Sequence, residues 1–215
     1  MTEPDVTLTD YGLAVENAVF AYLMLRHRRG AGTPAWFALF FVAGSAAALA
    51  GGTVHGFFLD GATTGARILW PATLLAIGVS AAAAWVIGAR LALAPAAARV
   101  MAVAAGLELI VYAAVILLVT RRFEAAIVNY VPAAVFLLIA LCVRYRRTGQ
   151  RATLIAALGL MLVFVASGVQ VGRIAVDPVW FDHNALYHVI QAVALLLLFV
   201  GARGLSPGAE GSRPC

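Results

Sequence analysis

From Ala35 to Phe58 the chain carries no Asp, Glu, Lys or Arg, and equally uncharged runs recur at 68–89, 125–143, 152–172 and 183–202. Runs of this length leave few options. In hydrocarbon every backbone N–H and C=O must be satisfied within the segment, which restricts a spanning element to an α-helix or a closed barrel. A spanning helix takes roughly 20 apolar residues. The chain of 215 residues is 63% hydrophobic and 12% charged, too little charge to clothe a soluble domain of that size. Its length accommodates about seven such helices with their loops.

Seven helices are predicted at 8–26, 35–58, 66–89, 97–120, 124–144, 151–172 and 178–201. The fold class is all-α: one seven-helix transmembrane bundle over 1–202, followed by a disordered cytoplasmic tail at 203–215. Turn-rich stretches at 30–34, 59–65 and 145–151 mark boundaries. Asp177 followed by Pro178 reads as a helix cap with proline at the first helical position, which starts the seventh helix there. Cys142 lies in an apolar run and Cys215 is the last residue, so no disulfide joins them.

The net charge of +5 is entirely arginine, since the chain has no Lys. The arginines sit at helix ends, which is the pattern of membrane topology and not of a nucleic-acid-binding face. With the N-terminus outside, Arg26, Arg28 and Arg29, then Arg90 and Arg99, then Arg144, Arg146, Arg147 and Arg151, and finally Arg203 and Arg213 fall inside. Only Arg67, Arg121, Arg122 and Arg173 fall outside. The positive-inside bias therefore predicts an external N-terminus and an internal C-terminus. The acidic lead Glu3, Asp5 and Asp10 contains no basic region, so it does not read as a cleavable secretory signal.

On that topology the polar residues of several helices reach one depth. Glu16 and Asn17 lie in the outer half of helix one, and His55 lies near the outer end of helix two with Asp60 just beyond. Asn129 and Tyr130 on helix five, Ser167 and Gln170 on helix six, and the 181-FDHNALYH-188 segment opening helix seven join them. An Asp or Arg at the bilayer centre costs about 2.5–3.5 kcal/mol on insertion scales, so such groups face the bundle interior and satisfy one another. Asn184, His188 and Gln191 fall at i, i+4 and i+7, one continuous helix face, with Asp182 and His183 in the turn before it. On helix two Ser45, Ala48, Gly52 and His55 share a face whose small residues let a neighbour approach closely. Glu108 stands apart, near mid-membrane on helix four.

A seven-helix protein with a His late in helix two and a His cluster opening helix seven resembles the superfamily of alkaline ceramidases, progestin/adiponectin-type receptors and haemolysin-III-like proteins. It also resembles a family of small bacterial seven-helix proteins around 181-FDHNALYHVIQ-191. The first resemblance implies a Zn²⁺ ion held by one helix-two His and an HxxxH pair on helix seven, in a lipid amide or ester hydrolase of the bacterial inner membrane. It maps the metal ligands onto His55, His188 and His183, and proton handling onto Asp60 or Glu16. Asp182, Asn184, Gln191 and Asn17 become substrate-contacting or supporting groups. The sequence departs from the pattern at Asn184, where the first His of the pair belongs, and at Gly51, where a Ser belongs. The chemistry is physically consistent: neutral imidazoles ligate Zn²⁺, and the metal brings its bound water to a pKa of about 7.

Two other readings fit the same residues. The cluster is the ligand site of a non-enzymatic receptor or sensor, or it serves a small transporter that also uses Glu108. In structural terms alone, His55 and His188 pin helices two and seven by a hydrogen bond, worth about 0.6–2 kcal/mol. A pocket closed at the inner side favours hydrolase or receptor; a path reaching Glu108 favours transport.

Overall fold

A computed structural model describes residues 1–26, 32–177 and 180–205. Among these residues the secondary structure is helical, apart from one isolated bridge between Asp177 and Phe181. The helices are α1 (Pro4–Arg26), α2 (Thr33–Phe57), α3 (Thr64–Ala92), α4 (Pro95–Leu118), α5 (Phe123–Thr148), α6 (Arg151–Val171) and α7 (His183–Gly204). The basic segment at 27–29, Pro178, and the tail from 206 onward lie outside the described residues. Arg203 belongs to α7 and not to a tail.

Two boundaries differ from expectation. Helix α1 begins at Pro4, four residues before the predicted start, because proline is well placed in a first helical turn. Helix α7 begins at His183, not 178: Asp182 is its cap, and its side chain accepts from the backbone N–H groups of Asn184 and Ala185. Asp177 instead closes a short turn, accepting from the Trp180 N–H at 2.9 Å.

Six helices, α2 to α7, are long and apolar enough to cross a membrane. Helix α1 is excluded from that set by its polar content, with Asp5, Asp10 and Glu16 along its length. Many large apolar side chains on the outside of the bundle are exposed, among them Val100, Val103, Leu107, Ile110 and Leu118 on α4. That distribution suits a lipid surrounding, where an exposed Leu costs nothing.

Packing closes six helices into a ring in the order α1, α2, α3, α5, α6, α7 and back to α1, while α4 leans on α3 from outside. The tightest seams are built on glycine. At Gly201 an added Cβ would stand 2.6 Å from the Ala152 carbonyl oxygen and from Ala156. At Gly159 it would stand 2.7 Å from the Ala194 oxygen and the Leu198 nitrogen. These two positions let α6 and α7 touch backbone to backbone, the close approach expected of small residues between membrane helices. The same holds between α1 and α2, where Ser45 donates to the Ala14 carbonyl at 2.7 Å on the predicted small-residue face.

In the half of the bundle away from the N-terminus, the ring is filled by phenylalanines. Phe20 stacks on Phe199 at 4.3 Å between centroids and meets Phe41 edge-on at 5.4 Å. Phe37 and Phe41 are fully buried beside them. The other half is not filled.

Candidate functional site

A cavity of about 350 Å³ occupies the half of the ring at which α1 begins, lined by residues of every ring helix. Its polar groups descend in steps. At the mouth stand His55 of α2, Asp10 of α1, and Asn184 and His188 of α7. Gln191 lies one turn deeper and Asn17 deeper again, seven residues or about 10.5 Å of helix rise below Asp10. Three residues further along α1, Phe20 begins the aromatic plug. Helices α1 and α7 run in the same direction, so Asp10 with His188 and Phe20 with Phe199 mark matching depths.

Helix α1 supplies most of the partners. His188 is 9% exposed and sits between two α1 residues: its Nδ1 is 3.0 Å from Thr9 Oγ1, and its Nε2 is 3.4 Å from Asp10 Oδ1. His55 Nδ1 is 2.6 Å from Glu3 Oε2. The Asp182 backbone N–H donates to Asp5 Oδ2 at 3.1 Å, which fixes the start of α7 against α1. Gln170 of α6 donates to Asn184 Oδ1 at 3.2 Å, and Asn184 Nδ2 reaches Asp182 Oδ2 at 3.3 Å. Each His of the cavity is therefore paired with a carboxylate of α1, the arrangement that lets ionisable groups reside within a bilayer.

Among the described residues that line the cavity, two buried acceptors have no partner. Asn17 is 2% exposed; its Nδ2 donates to the Leu13 carbonyl at 2.8 Å, which leaves Oδ1 unmatched. Gln191 lies one turn along α7 from Tyr187, and its Oε1 is likewise buried without a partner among the described residues. Burying an unsatisfied acceptor costs about 1–3 kcal/mol.

Of the residues picked out from sequence, His55, His188, Asn184, Gln191 and Asn17 line this cavity. His183, Asp182, Glu16 and Asp60 do not. His183 stands 3.7 Å from Asp182 Oδ2 in the first turn of α7. Asp182 works as the helix cap. Glu16 is half-buried on the flank of α1, with Oε2 shut from solvent. Asp60 is exposed in the α2–α3 turn and accepts from the Ala62 N–H. Glu108 lies on α4 against Trp85 of α3, outside the ring.

The zinc expectation meets this geometry directly. A catalytic zinc takes three protein ligands converging on one point. Here His55 turns to Glu3, His188 is held between Thr9 and Asp10, and His183 lies off the cavity. Among the described residues no three His, Cys, Asp or Glu side chains stand close enough to hold a metal ion. Among the described residues, the side chains as placed do not form the three-ligand centre that the resemblance implies.

Sequence reasoning missed Glu3, Asp5, Thr9 and Asp10, the α1 half of the site. The signal was available: Glu3, Asp10 and Asn17 recur at seven-residue intervals, which places them on one helix face. Small residues of α2 answer them. An added Cβ on Gly44 would stand 3.0 Å from Asn17 Oδ1, and one on Gly52 would stand 2.6 Å from Asp10 Cβ.

Fold and cavity together define a helical membrane protein with a mostly apolar pocket among its helices that carries a few polar groups, with stacked phenylalanines beyond it. Residues 6–207 match the model of a family of unknown function, DUF6962, and the chain belongs to that family. Neither a curated protein nor a solved structure matches it.

Proposed function

We propose that this chain is a seven-span membrane receptor or sensor, N-terminus outside, that holds a small or lipid-derived ligand in the cavity between α1, α2 and α7. The observation that carries the reading is the cavity of about 350 Å³ enclosed by the ring helices, with His55, His188 and Asn184 set in a largely apolar wall. A ligand site has this composition, a mostly apolar hollow with a few convergent polar groups.

Three further features support it. The phenylalanine cluster fills the far end and Glu108 lies outside the ring, so among the described residues the polar groups of the cavity do not continue to the other side of the bundle. Ile127, Val131 and Val171 line the cavity and are also 39%, 40% and 78% exposed, which opens a side window between α5 and α6 toward the lipid. The arginine bias supports a mouth on the outer face. A metal hydrolase is the weaker reading because the imidazoles do not converge.

Cysteine accessibility tests the proposal. Ser167 lines the cavity, and Ser167→Cys is nearly isosteric. In a background with Cys142 and Cys215 changed to Ser, a membrane-impermeant maleimide should label it in intact cells from outside. Labelling only in inverted vesicles refutes the orientation. Labelling from neither side refutes an accessible cavity.

A further inference from the structure

The end of the bundle opposite the cavity mouth is basic. Arg26 closes α1, Arg90 and Arg99 flank the α3–α4 turn, and Arg203 lies in the last turn of α7. The α5–α6 turn is the densest part, with Arg144, Arg146, Arg147 and Arg151 in the eight residues 144-RYRRTGQR-151. Every Asp and Glu of the described residues lies elsewhere, at the mouth end or, for Glu16 and Glu108, along α1 and α4. None of these arginines has a carboxylate partner among the described residues. Orienting a membrane chain takes an arginine bias, which the pair at the α3–α4 turn already expresses. Crowding four like charges into one turn is an added cost, because like charges one helical turn apart repel.

The turn holds its arginines in a defined frame. Gly149 adopts the left-handed conformation at φ 63°, and its N–H donates to the Tyr145 carbonyl at 2.8 Å. Thr148 Oγ1 donates to the Arg144 carbonyl at 3.0 Å and accepts from the Gln150 N–H at 3.3 Å. Arg144 Nη2 reaches across to Gln150 Oε1 at 3.4 Å. Arg146, Arg147 and Arg151 are left exposed. Two of them head apolar stripes on the outside of the bundle. Cys142, Ile139 and Val135, all exposed, precede Arg146 by four, seven and eleven residues, one face of α5. Leu158 and Val165, 46% and 57% exposed, follow Arg151 at seven-residue steps on α6.

An anion offsets the crowded charge, and the stripes indicate the form in which it comes. A free phosphate or an acidic peptide would use the guanidiniums alone. A phospholipid uses both, with its phosphate in charge-assisted hydrogen bonds to arginine and its acyl chains along the stripes. A zwitterionic lipid carries its own cation beside the phosphate and is the weaker guest. We infer that the α5–α6 turn and the helix surfaces beside it bind an anionic phospholipid, its phosphate docked on Arg146, Arg147 and Arg151. The site is separate from the cavity, and its test does not depend on what the cavity holds.

Native mass spectrometry of the purified full-length chain in nonionic detergent reads bound lipid directly. The probes are dioleoyl phosphatidylglycerol, dioleoyl phosphatidylcholine and inorganic phosphate. Phosphatidylglycerol should bind at least about tenfold more tightly than phosphatidylcholine, and excess inorganic phosphate should not displace it. One basic side chain at an anionic surface contributes about fivefold, so changing Arg146, Arg147 and Arg151 together to Gln should weaken phosphatidylglycerol binding about a hundredfold. The control, Arg90→Gln with Arg99→Gln, removes charge from the neighbouring turn and should leave that binding unchanged. Equal binding of the two lipids overturns the inference. So does displacement by phosphate, which would mean that the guanidiniums suffice without the stripes. An equal loss in both variants also overturns it, because the whole basic end would then act as one diffuse charge. The comparison of lipids uses the unmodified chain, so a variant that fails to fold does not blunt it.

Discussion

The neighbouring glycines of α2, Gly51 and Gly52, should respond oppositely to the same substitution. A Cβ on Gly52 would stand 2.6 Å from Asp10 Cβ and 3.3 Å from the Tyr11 ring. Asp10 Cβ is fixed to the α1 backbone and cannot swing aside. Restoring a contact of about 3.6 Å takes a shift of about 1 Å of α1 away from α2. Overpacking of this kind costs about 1–3 kcal/mol. The shift also stretches the loose His188–Asp10 contact beyond hydrogen-bond range, which costs about another 0.6 kcal/mol. Against this, replacing Gly by Ala in a helix gains about 1 kcal/mol. The net loss for Gly52→Ala is about 0.6–2.6 kcal/mol. At Gly51 the new methyl meets Thr73 Cγ2 at 3.5 Å and Asp10 Oδ2 at 3.9 Å, both ordinary contacts, so only the propensity gain remains. Thermal unfolding in detergent, followed by tryptophan fluorescence, reads the difference. With about 2–4 °C per kcal/mol for a chain of this size, Gly52→Ala should melt about 1–10 °C below wild type, and Gly51→Ala at or above it. Equal melting of the two variants would refute the proposed fit between α1 and α2.

Two further outcomes follow from the same geometry. Dialysis against a chelator should leave the melting midpoint unchanged and elemental analysis should find zinc well below one per chain; a midpoint that falls and is restored by zinc would reinstate the metal centre. Phe199→Ala, which removes the ring stacked on Phe20, should cost about 3–5 kcal/mol and admit maleimide to Ser167→Cys from the second side of the membrane; labelling still confined to one side would mean that the plug does not seal the cavity.

The long apolar runs announced the helices of the bundle, since an uncharged stretch of twenty residues has few other fates. The face shared by Asn184, His188 and Gln191 was legible from its i, i+4, i+7 spacing, and those residues do line the cavity. The small-residue face of α2 was legible too. Other features were hidden for definable reasons. Residues 2–10 look like a solvated lead because Thr2, Glu3, Asp5, Thr7, Thr9 and Asp10 are polar. Yet Thr7 and Asp10 are buried, and what buries them belongs to α2 and α7, distant in sequence. Likewise α4 follows α3 and precedes α5, but α3 packs directly on α5 and α4 is left outside. Chain order carries no information on that choice. The displacement of Glu108 from the site has the same origin.

The least apolar helix, α1, is the one that makes the site. Polar side chains between membrane helices face a steric difficulty: the helices must come close enough to shield them, yet leave room for their bulk. The α2 face solves it with Gly44 opposite Asn17, Gly52 opposite Asp10 and Gly56 opposite Thr7, positions where an added Cβ would lie 3.0, 2.6 and 2.9 Å from its neighbour. Each glycine receives an α1 side chain and presses it inward. The polar atoms that find partners, Glu3 on His55 and Thr9 on His188, tie α1 to the ring. Asn17 Oδ1, which faces Gly44, has no partner among the described residues. The histidines that first draw the eye in the sequence are on this view the anchors of α1. Under the proposed function, substitutions that change what is bound should concentrate along the cavity wall. Those at His55 and His188 should loosen the bundle.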